Sequence, residues 1–334
     1  MWSVEKANEW YKNTGWVMGF NYLPATAVNS TEMWQSESYD AERINKELAV
    51  AADTGFNSCR VFLQFLVWDK ERDDFINTFE NFLSIAKKHG ISVMPILFDD
   101  CSFSNKEPYL GKQQDPVPGV HNSGWTASPG FTIADDPSYT EVLEEYVKII
   151  MKTFNSDKRI LMWDMYNEPG NSGRGKKSLQ LLYYAFKWSR EINPVHPLTT
   201  GVWEWKSDWD TECLSLSDII SYHDYEPIEI STKRVDTLKK YERPVFCTEW
   251  LHRQNKNTFS SHLEFYKENN ISIYNWGLVE GKTQTYLSWN RENNTNDGYP
   301  DIWQHDLFYF DLTPHDPAEI EHTKLITSIK YYSK

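Results

Sequence analysis

Eight times along this 334-residue chain, a short and almost uninterrupted apolar run is followed by a longer stretch whose apolar residues recur at helical spacing. The runs are residues 16–22, 57–63, 92–98, 160–166, 198–203, 219–223, 245–249 and 271–277. Apolar character without alternation marks strands buried on both faces. Between them, residues 41–54 repeat Ile44, Leu48 and Ala52 four apart and stop at Gly55, a favoured helix end. Residues 75–89 align Phe75, Phe79, Phe82, Leu83 and Ala86 and stop at Gly90, and residues 139–154 repeat Val142, Tyr146, Val147 and Ile150 after a turn at Asp136-Pro137. Further helices are expected at 178–192, 231–241, 258–269 and 318–331, with a short one near 207–214. Strict alternation of strand and helix requires parallel pairing, because each crossover runs back over the sheet face. The fold class is therefore α/β, and eight units that close on themselves make a (β/α)8 barrel occupying 1–334 as a single domain. A doubly wound open sheet is the alternative, but Gly19 is followed by Phe20, Asn21 and Tyr22 and not by a dinucleotide-binding glycine pattern.

Two connections are long, 99–136 after the third strand and 278–316 after the eighth. In a barrel both leave the C-terminal ends of strands, the face that carries active sites. Both contain large rings, which matters because the chain holds 15 Trp, 19 Tyr and 17 Phe. Such rings fill cores, but they also stack on flat amphipathic ligands such as sugars. A formal charge of −14 disfavours nucleic acid and anionic membrane surfaces as partners. No apolar stretch is long enough to span a bilayer. Residues 1–12 lack the apolar run of a signal peptide, so the expectation is an extracellular or periplasmic protein whose signal is absent from this sequence, with a cytoplasmic one as the alternative. Cys59, Cys101, Cys213 and Cys247 are widely spaced, without a metal knuckle; Cys59 and Cys247, within strand-like runs, are expected as buried thiols.

The chemistry sits at strand ends. The fourth strand runs into Asn167-Glu168-Pro169 and the seventh into Thr248-Glu249-Trp250. A carboxylate directly after an apolar strand is costly unless paired, hydrogen bonded or placed at an open mouth. Strands four and seven face one another across a barrel, and two carboxylates facing across a cleft are what glycoside hydrolysis requires. With Asn-Glu-Pro and Thr-Glu-Trp in these places, nearly the whole chain resembles the clan of (β/α)8 retaining glycoside hydrolases that includes cellulases, mannanases, xylanases and β-galactosidases.

The resemblance implies Glu168 as the acid/base and Glu249 as the nucleophile. It implies Asn167 as a contact to the sugar 2-hydroxyl and the nucleophile, and Arg60 as the cation that steadies Glu249. His223 and Tyr225 match residues around the carboxylate pair, and Trp276 matches the platform beneath the reacting sugar. On this reading Arg60 lowers the pKa of Glu249, while a secluded Glu168 has its pKa raised. Glu204, Glu280, Asp99 and Asp100 are competing carboxylates. Residues 21–24 and 32–35 are candidates for the pocket wall, and Trp34, Trp203, Trp205, Trp250, Trp276, Trp289 and Trp303 for sugar contacts. The third strand lacks the histidine with which the clan often ends it. Neither a metal nor another cofactor is implied, since no ligand spacing of the metalloprotease kind occurs. The expected activity is retaining hydrolysis of β-linked neutral glycans, with Arg60, Lys206 and Lys282 as the basic residues able to override the net charge locally. The long loops favour cutting from chain ends. A catalytically silent carbohydrate-binding barrel is the alternative; a phosphate-using barrel is disfavoured by the absence of a glycine-rich loop after strands seven and eight.

Overall fold

The computed structural model describes residues 1–104, 106–294 and 298–328. Its strands are β1 (Met18–Asn21), β2 (Ser58–Phe62), β3 (Ser92–Asp99), β4 (Trp163–Asn167), β5 (Leu198–Thr199), β6 (Gly201–Val202), β7 (Ile220–His223), β8 (Val245–Trp250) and β9 (Ser272–Asn275). They form one parallel sheet in the order β5-β4-β3-β2-β1-β9-β8-β7-β6. First and last strands are neighbours, with Met18 opposite Ile273. The two ends of the order, β5 and β6, are one stave interrupted at Thr200, so the sheet wraps round into an eight-staved (β/α)8-type barrel. Thr200 leaves the ladder because its own polar groups bond elsewhere: its hydroxyl donates to the Tyr166 carbonyl at 2.7 Å and its amide to Ser217 Oγ at 3.1 Å.

Helices fall where the periodicity places them. Ala41–Thr54 matches the expected bounds, with Asp40 accepting the Arg43 amide at its start and Gly55 in the left-handed region at its end. Arg72–Lys88, Thr140–Thr153, Leu179–Ile192, Ile228–Leu238, Phe259–Glu268 and Pro317–Ser328 follow the other predicted segments. The last residues of the final expected helix, 329–331, lie outside the described residues. Helix faces bury Phe75, Phe79, Phe82 and Tyr146 completely, and Trp34 packs edge-on against all three of those phenylalanines. Trp34 is thus core between helices and no part of a pocket wall.

Four of the α-helices among the described residues were not expected: the short Ser30–Trp34, Phe65–Lys70 and Phe131–Asp135, and the longer Val4–Thr14. Val4–Thr14, capped by Ser3 and ended by Gly15, covers the N-terminal mouth of the barrel. It buries Ala7 and Tyr11 in a cluster with Val17, Met94, Met162, Ile219, Phe246 and Tyr274, and Tyr11 bonds Ser272 at 2.9 Å. The opposite, C-terminal mouth stays open for chemistry. All four cysteines are buried free thiols. Among the described residues, no helix is long and apolar enough to cross a membrane.

The loop after β9 folds back under the site. Gly277 has φ +76°, and a Cβ there would lie 2.2 Å from Asp306 Oδ1, so only glycine lets the chain turn directly after Trp276. Asp306 is fully buried, with the Thr285 hydroxyl 2.9 Å from each oxygen, and burial raises its carboxyl to about 7. A carboxyl held up in the folded state stabilises the fold at low pH and loses that contribution as pH climbs from the ordinary aspartate value towards 7. Asp306→Asn should therefore flatten the dependence of Tm on pH between about 4 and 7, measured by thermal denaturation. An unchanged slope would count against a protonated Asp306.

Candidate active site

β1, β2, β4, β7 and β8 each end or pass at the open mouth, and polar side chains of β1, β4 and β8 converge on Arg60 of β2. That guanidinium is fully buried, and every oxygen it donates to belongs to a carboxylate or a side-chain amide. Nη1 donates to Glu249 Oε1 at 2.9 Å and to Asn21 Oδ1 at 2.7 Å, Nη2 to Asn167 Oδ1 and Asp164 Oδ2, both at 2.7 Å, and Nε to Asp164 at 3.0 Å. A buried cation of this kind is tolerable only with such complete partnering. The second oxygen of Glu249 accepts the Tyr225 hydroxyl at 2.7 Å. Replacing that charge-assisted bond through Tyr225→Phe should lower kcat by about 10- to 100-fold, on the basis of about 1.5–3 kcal/mol. Initial rates on an aryl glycoside check it; an unaltered kcat would remove the hydroxyl from any part in the reaction.

Glu168 lies one residue beyond β4 at φ +43°, an uncommon conformation for a residue with a side chain. Asp100 fixes this turn: it accepts the Gly170 amide at 2.7 Å, the Tyr166 hydroxyl at 2.8 Å and the Ser178 hydroxyl. Glu168 Oε1 contacts His223 Nδ1 at 2.7 Å, while Oε2 accepts from Cys101 Sγ at 3.2 Å and from Asn171 Nδ2. His223 Nε2 is buried without a partner, so the ring is best satisfied with its proton on Nδ1, donated to Glu168. One carboxylate oxygen each from Glu168 and Glu249 and a nitrogen of His223 all lie within 4.8 Å of one another. Those carboxylate oxygens already accept from the protein's own donors, Arg60 and Tyr225 on Glu249 and His223, Cys101 and Asn171 on Glu168.

These groups open into a cleft of about 640 Å³. Its floor includes Trp276, packed edge-on against Phe62 and Trp125, and its walls include Trp203, Glu204 and Trp289. The whole set, carboxylate pair, arginine, amide, histidine, tyrosine and aromatic floor, stands at the C-terminal mouth of an eight-staved barrel. Residues 24–281 match the family model described as cellulase, glycosyl hydrolase family 5.

The chain belongs to glycosyl hydrolase family 5. Over 209 residues it is 24% identical to mannan endo-1,4-β-mannosidase 8 of Oryza sativa subsp. japonica, covering 57% of this chain and half of the rice protein. Its fold is similar to that of an exo-β-1,4-mannosidase from Opitutaceae bacterium strain TAV5, with a TM-score of 0.65 at 16% identity over 94% of this chain and 60% of that one. An endo-β-1,4-mannanase from Thermotoga petrophila superposes with a TM-score of 0.59 at 13% identity, covering 96% and 78% of the two chains. The family 5 chain thus spans only about half to three fifths of the first two of these relatives.

Within this family 5 site, the structure brings together every residue singled out from sequence: Glu168, Glu249, Asn167, Arg60, His223, Tyr225 and Trp276. The electrostatic order differs from expectation. Burial pushes Glu168 up, but His223, Cys101 and Asn171 outweigh it and hold the carboxyl below its ordinary value. Burial raises Glu249, the nearby Glu168 charge adds to the rise, and His223, Arg60 and Tyr225 only partly oppose it. The physical reasons are burial, which raises Glu249, and His223, whose Nδ1 lies 2.7 Å from Glu168 but 3.5 Å from Glu249. Arg60 is also shared, since Asp164 takes two of its contacts. Asp164 escaped the sequence reading, although a charged residue inside the apolar fourth strand is itself a signal that a buried partner exists.

Other candidates separate. Asp99 accepts Asn167 Nδ2 at 2.8 Å and Trp125 Nε1 at 2.7 Å, so it orients the amide and the floor and does not face the cleft as a competing acid. Glu204 lines the cleft. Glu280 instead accepts the Tyr299 hydroxyl, and Lys282 pairs with Glu32 at 2.7 Å. Trp250 is buried against Phe259, His262 and Tyr266, Trp303 stacks on His315, and Trp205 donates to the His223 carbonyl, so these three support the structure and do not line the cleft. Cys101 and Asn171, unremarkable in sequence, touch Glu168 directly.

Proposed function

We propose that this chain is a retaining glycoside hydrolase acting on β-linked neutral glycans, with β-1,4-mannosides as the first substrates to test. Glu249 attacks the anomeric carbon as Glu168 gives its proton to the departing oxygen; Glu168 then takes a proton from the water that releases the glycosyl enzyme. The observation that carries this reading is the separation of the carboxylates. Retention calls for about 5–5.5 Å and inversion for about 6.5–9.5 Å, and oxygens of Glu168 and Glu249 approach within 4.8 Å. At that distance the pair titrates as a unit. A bound glycoside presents its bridging oxygen to Glu168 and its electrophilic carbon to Glu249, which favours the proton on Glu168. Family membership supports the reaction, and the mannan-directed names of the rice, Opitutaceae and Thermotoga proteins support the choice of sugar.

The deciding experiment is turnover of 4-nitrophenyl β-mannoside, β-glucoside, β-galactoside and β-xyloside, with the first-formed anomer read by NMR. A β product supports the reading and an α product overturns it. Glu168→Ala should lose about 10²–10⁴-fold on a poor leaving group and much less on an activated one, because general acid help is needed in proportion to leaving-group basicity. Equal losses on both substrates would sink the assignment of Glu168.

A further inference from the structure

The two long loops are sewn to each other across the top of the barrel. From the loop after β3, the Asn122 amide donates to the Thr283 carbonyl at 2.7 Å. From the loop after β9, Gln284 Nε2 donates to the Val117 and Val120 carbonyls at 2.8 and 3.0 Å. His121 and Trp289 complete the seam on the cleft side. His121 Nδ1 lies 2.8 Å from the Leu287 carbonyl, which can only accept, so this nitrogen carries the proton; Nε2 then accepts the Trp289 indole N–H at 3.2 Å. Burial lowers the His121 pKa to about 4, in keeping with a neutral ring that must accept. The indole is further held by Tyr225, edge-on at 4.9 Å, and by His252 at 4.6 Å.

The position of this seam is informative. Glu168 protonates the leaving oxygen, so the departing part of a substrate lies beside Glu168, Asn171 and Trp203. The retained sugar lies over Trp276 and against Glu249, and there Trp289 stands directly beyond Tyr225, whose hydroxyl bonds Glu249. A single tyrosine ring separates the wall from the nucleophile. We propose that the His121–Trp289 wall closes the cleft behind the first sugar, so that the chain releases single sugars from non-reducing ends. This inference rests on the glycosidase reading above.

The test uses the whole chain and the reducing-end-labelled β-1,4-linked hexaose of whichever aryl β-glycoside it turns over. The native protein should give free monosaccharide with labelled pentamer, then tetramer, in strict order. Trp289→Ala should raise early labelled dimer and trimer relative to monosaccharide at least about tenfold, the effect of about 1.4 kcal/mol of lost discrimination. His121→Phe, which removes the acceptor and keeps a ring, should shift the products the same way by less, and it carries the test should Trp289→Ala fail to fold. A ladder of labelled products from the native protein, or strict monosaccharide release by folded Trp289→Ala or, in its place, His121→Phe, overturns the wall. Turnover of no aryl glycoside and no hexaose overturns the glycosidase reading itself, and the wall with it.

Discussion

Glu249→Ala is expected to lower kcat on an activated aryl β-glycoside by about four to six orders of magnitude, the scale of removing a covalent nucleophile. The two buried aspartates of the Arg60 and Asn167 network are already engaged. Asp164 is held by two Arg60 contacts inside the barrel, and Asp99 is fixed by Asn167 and Trp125. Added azide should enter the space left by the carboxylate and attack the same face of the sugar, giving an α-glycosyl azide. With Glu168→Ala the glycosyl enzyme still forms, and azide should release it as the β-glycosyl azide. Product configuration by NMR therefore separates the two glutamates, and a Glu249→Ala protein within tenfold of native turnover would refute the nucleophile assignment.

The second large effect concerns stability. Arg60→Met removes the cation that holds Asp164, Glu249, Asn167 and Asn21 together, and it leaves two buried carboxylates uncompensated. Breaking a buried ion pair from one side costs about 3–5 kcal/mol, which in a chain of this size lowers Tm by roughly 4–7 °C. The source of the loss is testable. Adding Asp164→Leu removes one of the stranded charges, so the double variant should melt above Arg60→Met alone, by circular dichroism at neutral pH. Additive losses would show that Asp164 does not depend on Arg60, against the geometry.

Much of this architecture was readable because strands buried on both faces have an unmistakable composition. β2 and β3 lie within the segments 57–63 and 92–98 or one residue beyond, and Ala41–Thr54 coincides with its prediction since both a cap and a glycine stop flank it. The helix Val4–Thr14 was missed for the opposite reason: only Ala7 and Tyr11 are buried, too few to set up a periodic signal, although Ser3 and Gly15 stood at its ends. The interruption at Thr200 is made by bonds to Tyr166 and Ser217, which no local pattern reveals.

Within the site, the carboxylates were legible because a charge after an apolar strand demands an explanation. Facing direction was not. Glu249 and Trp250 are adjacent on β8, so one enters the cleft while the other turns to Phe259 and Tyr266, and a loop tryptophan such as Trp303 carries no periodicity from which to tell inside from outside. The reversed electrostatic order was hidden for the same reason, since it depends on burial and on His223 facing Glu168 more closely than Glu249.

The pairing of first strand with last has a consequence in time. A chain leaving the ribosome has produced Asn21, Arg60 and Asn167 long before residues 272–275 exist to lie beside β1, and Glu249 cannot take its place at Arg60 until β8 is laid against that final strand. Pairings so remote in sequence are slow to form. The guanidinium therefore waits, with Asp164 as its early companion, and the reactive centre comes into being at the closing of the ring. Recovery of catalysis after dilution from denaturant should accordingly trail recovery of helical signal.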